Sequence, residues 1–248
     1  MRTLLLDIET APNLAYVWGA FKQNITMDKI VENSEVLCWS AKWYGEKGMY
    51  FRSIQTGKKS MLNAVHRLLD EADVVVTYNG KAFDTRVLNR EFFLAEMHPP
   101  APYKQIDLYL VVTDRFDFPI NKMDYVSKRM GLSGKTKHPG FQMWVDCKAG
   151  LPEAWEKMAE YNQHDVEMLE PMYTRLKPWV KNHPNVGAFD PEDMDKCPHC
   201  GSKHLQRRGF AVTRDVRYHR YQCVDCGAWA RGKKAVDKSR TTLQGISA

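Results

Sequence analysis

The chain has 248 residues, 44% of them apolar, enough to bury one large domain or one domain with a small appendage. Its 15 glycines and 12 prolines are an ordinary share, which excludes collagen-like and low-complexity proteins. The longest uninterrupted apolar runs, such as Leu108 to Val112, are far too short to cross a bilayer, so no membrane partner is expected. No apolar stretch or cleavage site of signal-peptide type follows Met1, and a soluble protein of the cytoplasm is expected. The net charge of +6 is unevenly placed: residues 196–248 contain 12 Lys/Arg against 3 Asp/Glu, and the other 195 residues contain 24 against 27. A weakly acidic body with a basic tail suits a polyanionic partner, most often nucleic acid, although a solubilising face also explains the excess.

In chain order, residues 4–8 form an apolar run that ends in carboxylates. Residues 36–44 and 49–54, separated by Gly-Glu-Lys-Gly, predict a β-hairpin. The spacing of Met61, Leu62, Val65, Leu68 and Leu69 predicts a helix over 59–71. A short β-branched strand follows at 73–78, then amphipathic helices at 83–96, 122–130 and 153–176. Three strands followed by helix, strand and more helices imply a mixed sheet covered by helices, α/β or α+β. The pattern stops near Pro178, and 183–196 is rich in Pro, Asn, Gly and Asp. The expected organisation is a body at 1–180, a linker at 181–195, a zinc module at 196–235 and a basic flexible tail at 236–248.

Four of the six cysteines form two pairs, Cys197-Pro-His-Cys200 and Cys223-Val-Asp-Cys226, with 22 residues between the pairs. Two C-x-x-C pairs at this distance match a tetrahedral zinc ribbon. Gly201 and Gly227 directly follow each pair, where they let the chain turn back and bring backbone amides toward the thiolates. Four thiolates leave no open coordination position, so a Zn²⁺ ion here is structural. Cys38 and Cys147 stand alone in hydrophobic surroundings and are expected to be buried thiols.

Asp7 and Glu9 lie two apart at the end of the first strand, so both side chains leave one face. Two carboxylates on one face repel each other unless a cation neutralises them, and hard oxygen ligands suit Mg²⁺ or Mn²⁺. Alternatively both point to solvent at a strand end. Asp84, in Tyr78-Asn79-Gly80-Lys81-Ala82-Phe83-Asp84, follows an Asn-Gly turn and projects from the first turn of a helix. A carboxylate there also simply favours the helix dipole. Tyr161 and Asp165 are i and i+4 on a helix and share a face continued by Leu169 and Tyr173; an ordinary surface pair is the alternative.

Together these segments resemble the DEDD superfamily of 3′→5′ exonucleases, which have a ribonuclease H-like fold. L-D-I-E-T carries Asp7 and Glu9, N-G-K-A-F-D carries Asn79 and Asp84, and Y-N-Q-H-D carries Tyr161 and Asp165. The resemblance covers residues 1–178 and is closer still to bacteriophage-encoded exonucleases of the tyrosine subgroup that end in a zinc ribbon. In the sister subgroup a histidine stands five residues before the last Asp, where this chain has Glu160; His164 directly precedes Asp165 and is read as a site-edge or surface residue. The resemblance implies two divalent ions about 3.5–4 Å apart, held by Asp7, Glu9, Asp84 and Asp165. Asp7 would bridge the two ions, Glu9 and Asp165 would hold the ion bearing the nucleophilic water, and Asp84 would serve the second. Tyrosine, with an ordinary pKa of about 10, is a poor base at neutral pH, so Tyr161 would orient the water. The products would be nucleoside 5′-monophosphates.

Substrate contacts are expected at Asn79 and at Trp18, which with Tyr16 and Phe21 offers stacking faces for unpaired bases or else packs in the core. Lys122, Lys135, Lys137 and His138 would neutralise phosphates or line a solvated loop, and His164 is within reach of substrate. In the ribbon, Arg207, Arg208, Arg214, Arg217, Arg220 and Arg231 alternate with Tyr218, Tyr221 and Trp229, which suits single-stranded nucleic acid. A replication or recombination protein is the rival partner for the ribbon. The expected activity is two-metal 3′→5′ exonuclease action on single strands, DNA favoured. Its alternatives are an RNA exonuclease, a structure-specific endonuclease, or a non-catalytic nucleic-acid-binding protein.

Overall fold

The computed structural model describes residues 1–132, 140–189, 195–213 and 216–238, so Lys135, Lys137, His138 and Arg214 lie outside the described residues. Two compact units divide between Arg175 and Leu176. Of the expected linker, residues 190–194, and of the expected tail, residues 239–248, are likewise outside the described set.

The first unit is organised around β1 (Thr3–Thr10). It is followed by β2 (Leu14–Ala15), β3 (Ile30–Glu32), β4 (Val36–Trp43), β5 (Tyr50–Ser53), α1 (Lys58–Glu71), β6 (Val74–Thr77) and α2 (Asp84–Leu94). Then come β7 (Lys104–Asp107), α3 (Leu108–Arg115), α4 (Met123–Arg129), α5 (Gln142–Lys148) and α6 (Pro152–Leu176). The main sheet has the order β5-β4-β1-β6-β7. β4 and β5 form the antiparallel hairpin that the sequence predicts, whereas β1, β6 and β7 run parallel.

Alternation along β1 separates its faces. Leu4, Leu6 and Ile8 join Trp39, Met61, Leu62, Val65, Leu88 and Phe92 in the larger core, which the apolar stripes of α1 and α2 cover. A second cluster contains Cys38, Met143, Cys147, Trp155, Met158 and Tyr161, drawn from β4, α5 and α6. Cys38 and Cys147 are buried, as the sequence suggests.

Several elements lie beyond what periodicity predicts. β7 is only Lys-Gln-Ile-Asp, too short to show alternation, and the apolar run at 108–112 is a helix, α3. The small β2–β3 ladder holds out a segment, residues 16–29, whose Tyr16, Trp18, Phe21 and Met27 are all strongly exposed. The core-packing alternative for Tyr16, Trp18 and Phe21 therefore fails: Trp18 is 98% exposed.

In the second unit, β8 (Leu205–Val212), β9 (Val216–Cys223) and β10 (Trp229–Lys238) form an antiparallel sheet of order β10-β9-β8. Among the described residues, no helix of the chain is long and apolar enough to cross a membrane.

Candidate active site and cysteine centre

β1 runs past the end of its parallel partner. It pairs with β6 only through Thr3, Leu4 and Leu5, so the Ile8 N–H lies beyond that ladder. Asp84 Oδ1 accepts this N–H at 3.2 Å. Asp84 itself is buried, at the first turn of α2, so its carboxylate sits against the backbone between Asp7 and Glu9. Just after Glu9 the pairing of β1 with β4 shifts register, the kind of bulge that re-aims side chains at a sheet end.

Asp7, Glu9 and Asp165 come together, with one carboxylate oxygen of each within 4.8 Å of the others. Asp7 and Glu9 come from β1 and Asp165 from α6, where it is buried one turn after Tyr161. Three carboxylates this close repel one another, and a divalent cation between them removes that cost; the all-oxygen donor set suits Mg²⁺ or Mn²⁺. Asp84 is not within this tight group but adjoins it through Ile8. The local negative field is visible in a neighbour: burial first, then the charges of Glu9 and Asp7, hold the Cys38 thiol well above its ordinary range. Burial, reinforced by Asp146 and Glu9, likewise pushes Cys147 up to about 11.

Two residues that sequence reasoning missed orient these carboxylates. Asn162, fully buried beside Tyr161, donates from Nδ2 to Asp7 Oδ2 at 2.7 Å. Trp144, on α5, donates its indole N–H to Glu9 Oε2 at 2.9 Å. The Trp144 ring also meets Tyr161 edge-on, with centroids 6.0 Å apart. Asn162 was legible in principle, since it lies i−3 from Asp165 on the same helix; nothing local marks Trp144.

A third missed residue, Asp107 at the end of β7, shapes the second segment. Its carboxylate accepts the N–H groups of Asn79 (2.7 Å), Lys81 (3.0 Å) and Tyr109 (3.0 Å). Asn79 is exposed and has φ +68°, a left-handed conformation that asparagine tolerates. At Gly80 a Cβ would stand 2.5 Å from Thr77 Cβ, so only glycine fits this turn. Tyr78 donates its hydroxyl to Asn121 O at 2.6 Å, which ties the exposed Lys122 segment to the same end of β6. His164 is partly buried on α6, with Nδ1 3.8 Å from Glu167 Oε2. Trp18 stands out on the exposed segment between β2 and β3.

In the second unit, Cys197, Cys200, Cys223 and Cys226 present their sulfurs within 4.8 Å of one another. The Cys197–Cys226 and Cys200–Cys223 Sγ pairs are each 3.6 Å apart. A tetrahedral Zn²⁺ with bonds of about 2.3 Å needs sulfurs about 3.8 Å apart, so the four fit such an ion. Gly201 and Gly227 have φ +78° and +76°, and their N–H groups bond back to Cys197 O and Cys223 O. Burial raises Cys200 to about 11 and would raise Cys223, but the amides of Cys226 and Asp225 bring Cys223 down to about 7. Oriented amides of this kind stabilise thiolates.

No curated protein matches the chain. Among solved structures it is similar to the family B DNA polymerase from the hyperthermophilic archaeon Pyrobaculum calidifontis, with 12% identity and a TM-score of 0.53. The likeness covers 89% of this chain but only 33% of the polymerase, and at that identity it speaks to fold alone. The RNase H superfamily matches residues 4–177, which take in β1, the mixed sheet and α6. The matched span also contains Asp7, Glu9, Asp84 and Asp165. The chain belongs to the RNase H superfamily.

Proposed function

We propose that the chain is a metal-dependent 3′→5′ exonuclease of single-stranded nucleic acid, DNA before RNA, that releases nucleoside 5′-monophosphates. The observation that carries this reading is the convergence of Asp7, Glu9 and Asp165 within 4.8 Å, with Asp84 bonded to the strand between the first two. The fold shared with a DNA polymerase inclines the substrate toward DNA.

Asp7, Glu9 and Asp165, with Asp84 beside them, would hold two divalent ions, Mg²⁺ or Mn²⁺. Such ions supply Lewis acidity and a hydroxide-like water at neutral pH. Asn162 and Trp144 each occupy one oxygen of a strand carboxylate and thereby fix the direction in which the remaining lone pairs point. Tyr161, braced by the edge of Trp144, would orient the attacking water. Asn79 and Lys122, tied to one end of β6, would meet the terminal nucleotide and its phosphate. Trp18 would stack on an unpaired base, and His164 would border the site. In the proposed division, residues 1–180 carry catalysis, 181–195 link and 196–235 form a ribbon around a structural Zn²⁺.

The test uses DNA and RNA single strands of one sequence, labelled at the 5′ end, with Mg²⁺ or Mn²⁺, and compares the protein with Asp7→Ala. Stepwise shortening that vanishes in the variant is expected, with DNA the faster substrate. Metal-dependent internal cuts would replace the exonuclease reading, and binding without cleavage of either polymer would end it.

A further inference from the structure

The register of the ribbon sorts its side chains onto two faces. Gln206 pairs with Gln222 and Gln222 with Trp229, Arg220 pairs with Arg231, and Tyr218 pairs with Ala235, so these residues share one face. Arg208 belongs with them, because its guanidinium donates to Gln206 Oε1 at 2.9 Å and Arg220 Nε donates to the Arg208 carbonyl at 3.0 Å. The opposite face has Phe210 stacked on His219, with Arg217 over the Phe210 ring.

The first face has two features that its own packing does not need. Arg220 and Arg231 stand directly opposite each other on neighbouring strands, a like-charge pairing that destabilises a sheet. Each guanidinium is also laid over a ring across the strands: Arg220 is 4.9 Å from the Trp229 centroid and Arg231 is 4.3 Å from that of Tyr218. The one acidic residue in the sequence of β8, β9 and β10, Asp237, pairs in register with Arg217 of the other face, and Arg208, Arg220, Trp229 and Arg231 are exposed. A guanidinium held against an aromatic face is pre-ordered while its N–H edge remains open to an anion. Trp229 is 47% exposed and Tyr218 partly exposed, and an accessible aromatic ring is a platform for a planar group.

We propose that this face of the ribbon binds a single-stranded nucleic acid. A phosphate between Arg220 and Arg231 relieves their repulsion, and bases stack on Trp229 and Tyr218. A protein-docking face would carry its apolar groups at the centre and its charges at the rim. Here the charges occupy the centre. This site is separate from the carboxylate cluster, and the inference holds whether or not that cluster cleaves.

The test uses the zinc-loaded full chain carrying Asp7→Ala, so that bound strand is not consumed, and labelled oligothymidylate at several salt concentrations. The double variant Arg220→Gln/Arg231→Gln should weaken binding at least tenfold and flatten the plot of log K against log salt by about 0.7, the share of the one phosphate that the pair holds. Trp229→Ala should weaken binding about tenfold with little change of slope. Arg231→Lys should keep the slope. Zinc content and circular dichroism identify any variant that has lost the ribbon, and Arg207→Gln/Arg217→Gln on the opposite face is the control. A zinc-loaded double variant with unchanged affinity and slope, or a control that loses as much, would overturn the assignment and leave the face to a protein partner.

Discussion

The two candidate metal centres are built in opposite ways. The carboxylates sit on a strand and a helix whose cores exist without any ion: β1, α1 and α2 enclose one cluster and α5 and α6 another. The cysteines have almost nothing else to hold them, since Cys197, Cys223 and Ala228 are the only buried side chains among the described residues 195–236. The first arrangement would hold a metal on a fold that stands without it, and in the second a metal would hold the fold. A site meant to turn over benefits from pre-positioned ligands, whereas a ribbon this small lacks the apolar area to fold alone.

The largest effect that separates the two is metal removal. Stripping Zn²⁺ at neutral pH should unfold the ribbon, since structural zinc contributes about 10–16 kcal/mol in comparable modules. Hydrogen exchange should show β8–β10 losing protection while β1 and β4 keep theirs. Protection lost from both regions at once would break the distinction. Next in size, Asp7→Asn should slow cleavage on the order of 10³-fold in single-turnover assays, the equivalent of about 4 kcal/mol, with thermal unfolding of the body nearly unchanged.

The orienting residues should show smaller effects. Trp144→Phe and Asn162→Leu each remove one hydrogen bond to a ligand carboxylate and should weaken Mn²⁺ binding about 10–100-fold, read by titration calorimetry. Asp84 separates architecture from chemistry. Asp84→Asn retains an acceptor for the Ile8 N–H and should lose activity at little cost in stability. Asp84→Ala also orphans that buried donor and should lose a further 1–3 kcal/mol or so in denaturant unfolding.

The smallest effect concerns pH. Burial holds His183 near pKa 4 while its Nδ1–H donates to Pro184 O, and burial also lowers His199 beside it. A histidine depressed below its ordinary 6.5 contributes stability that is complete above pH 6.5 and fades as the pH falls toward 4. His183→Gln should flatten that acid dependence in the second unit and leave the first unaffected.

Much of this was legible because it is local. The alternation of Leu4 to Glu9, the i, i+4 spacing of Tyr161 and Asp165, and the two C-x-x-C pairs each state their geometry within a few residues. The supporting contacts do not. Trp144 reaches Glu9 across 135 residues and Asn162 reaches Asp7 across 155, so no periodicity could announce them. Asp107 hides at the seam of a four-residue strand and an apolar helix, where neither pattern is long enough to read. The sequence around Trp18 fits a core as well as an arm; the short β2–β3 ladder decides for the arm.

The most direct measurement is anomalous diffraction from crystals of the full chain soaked in Mn²⁺ with a nucleoside 5′-monophosphate. The account predicts manganese bounded by Asp7, Glu9 and Asp165, with the nucleotide phosphate against it. Manganese bound elsewhere, with those three carboxylates bare, would contradict it.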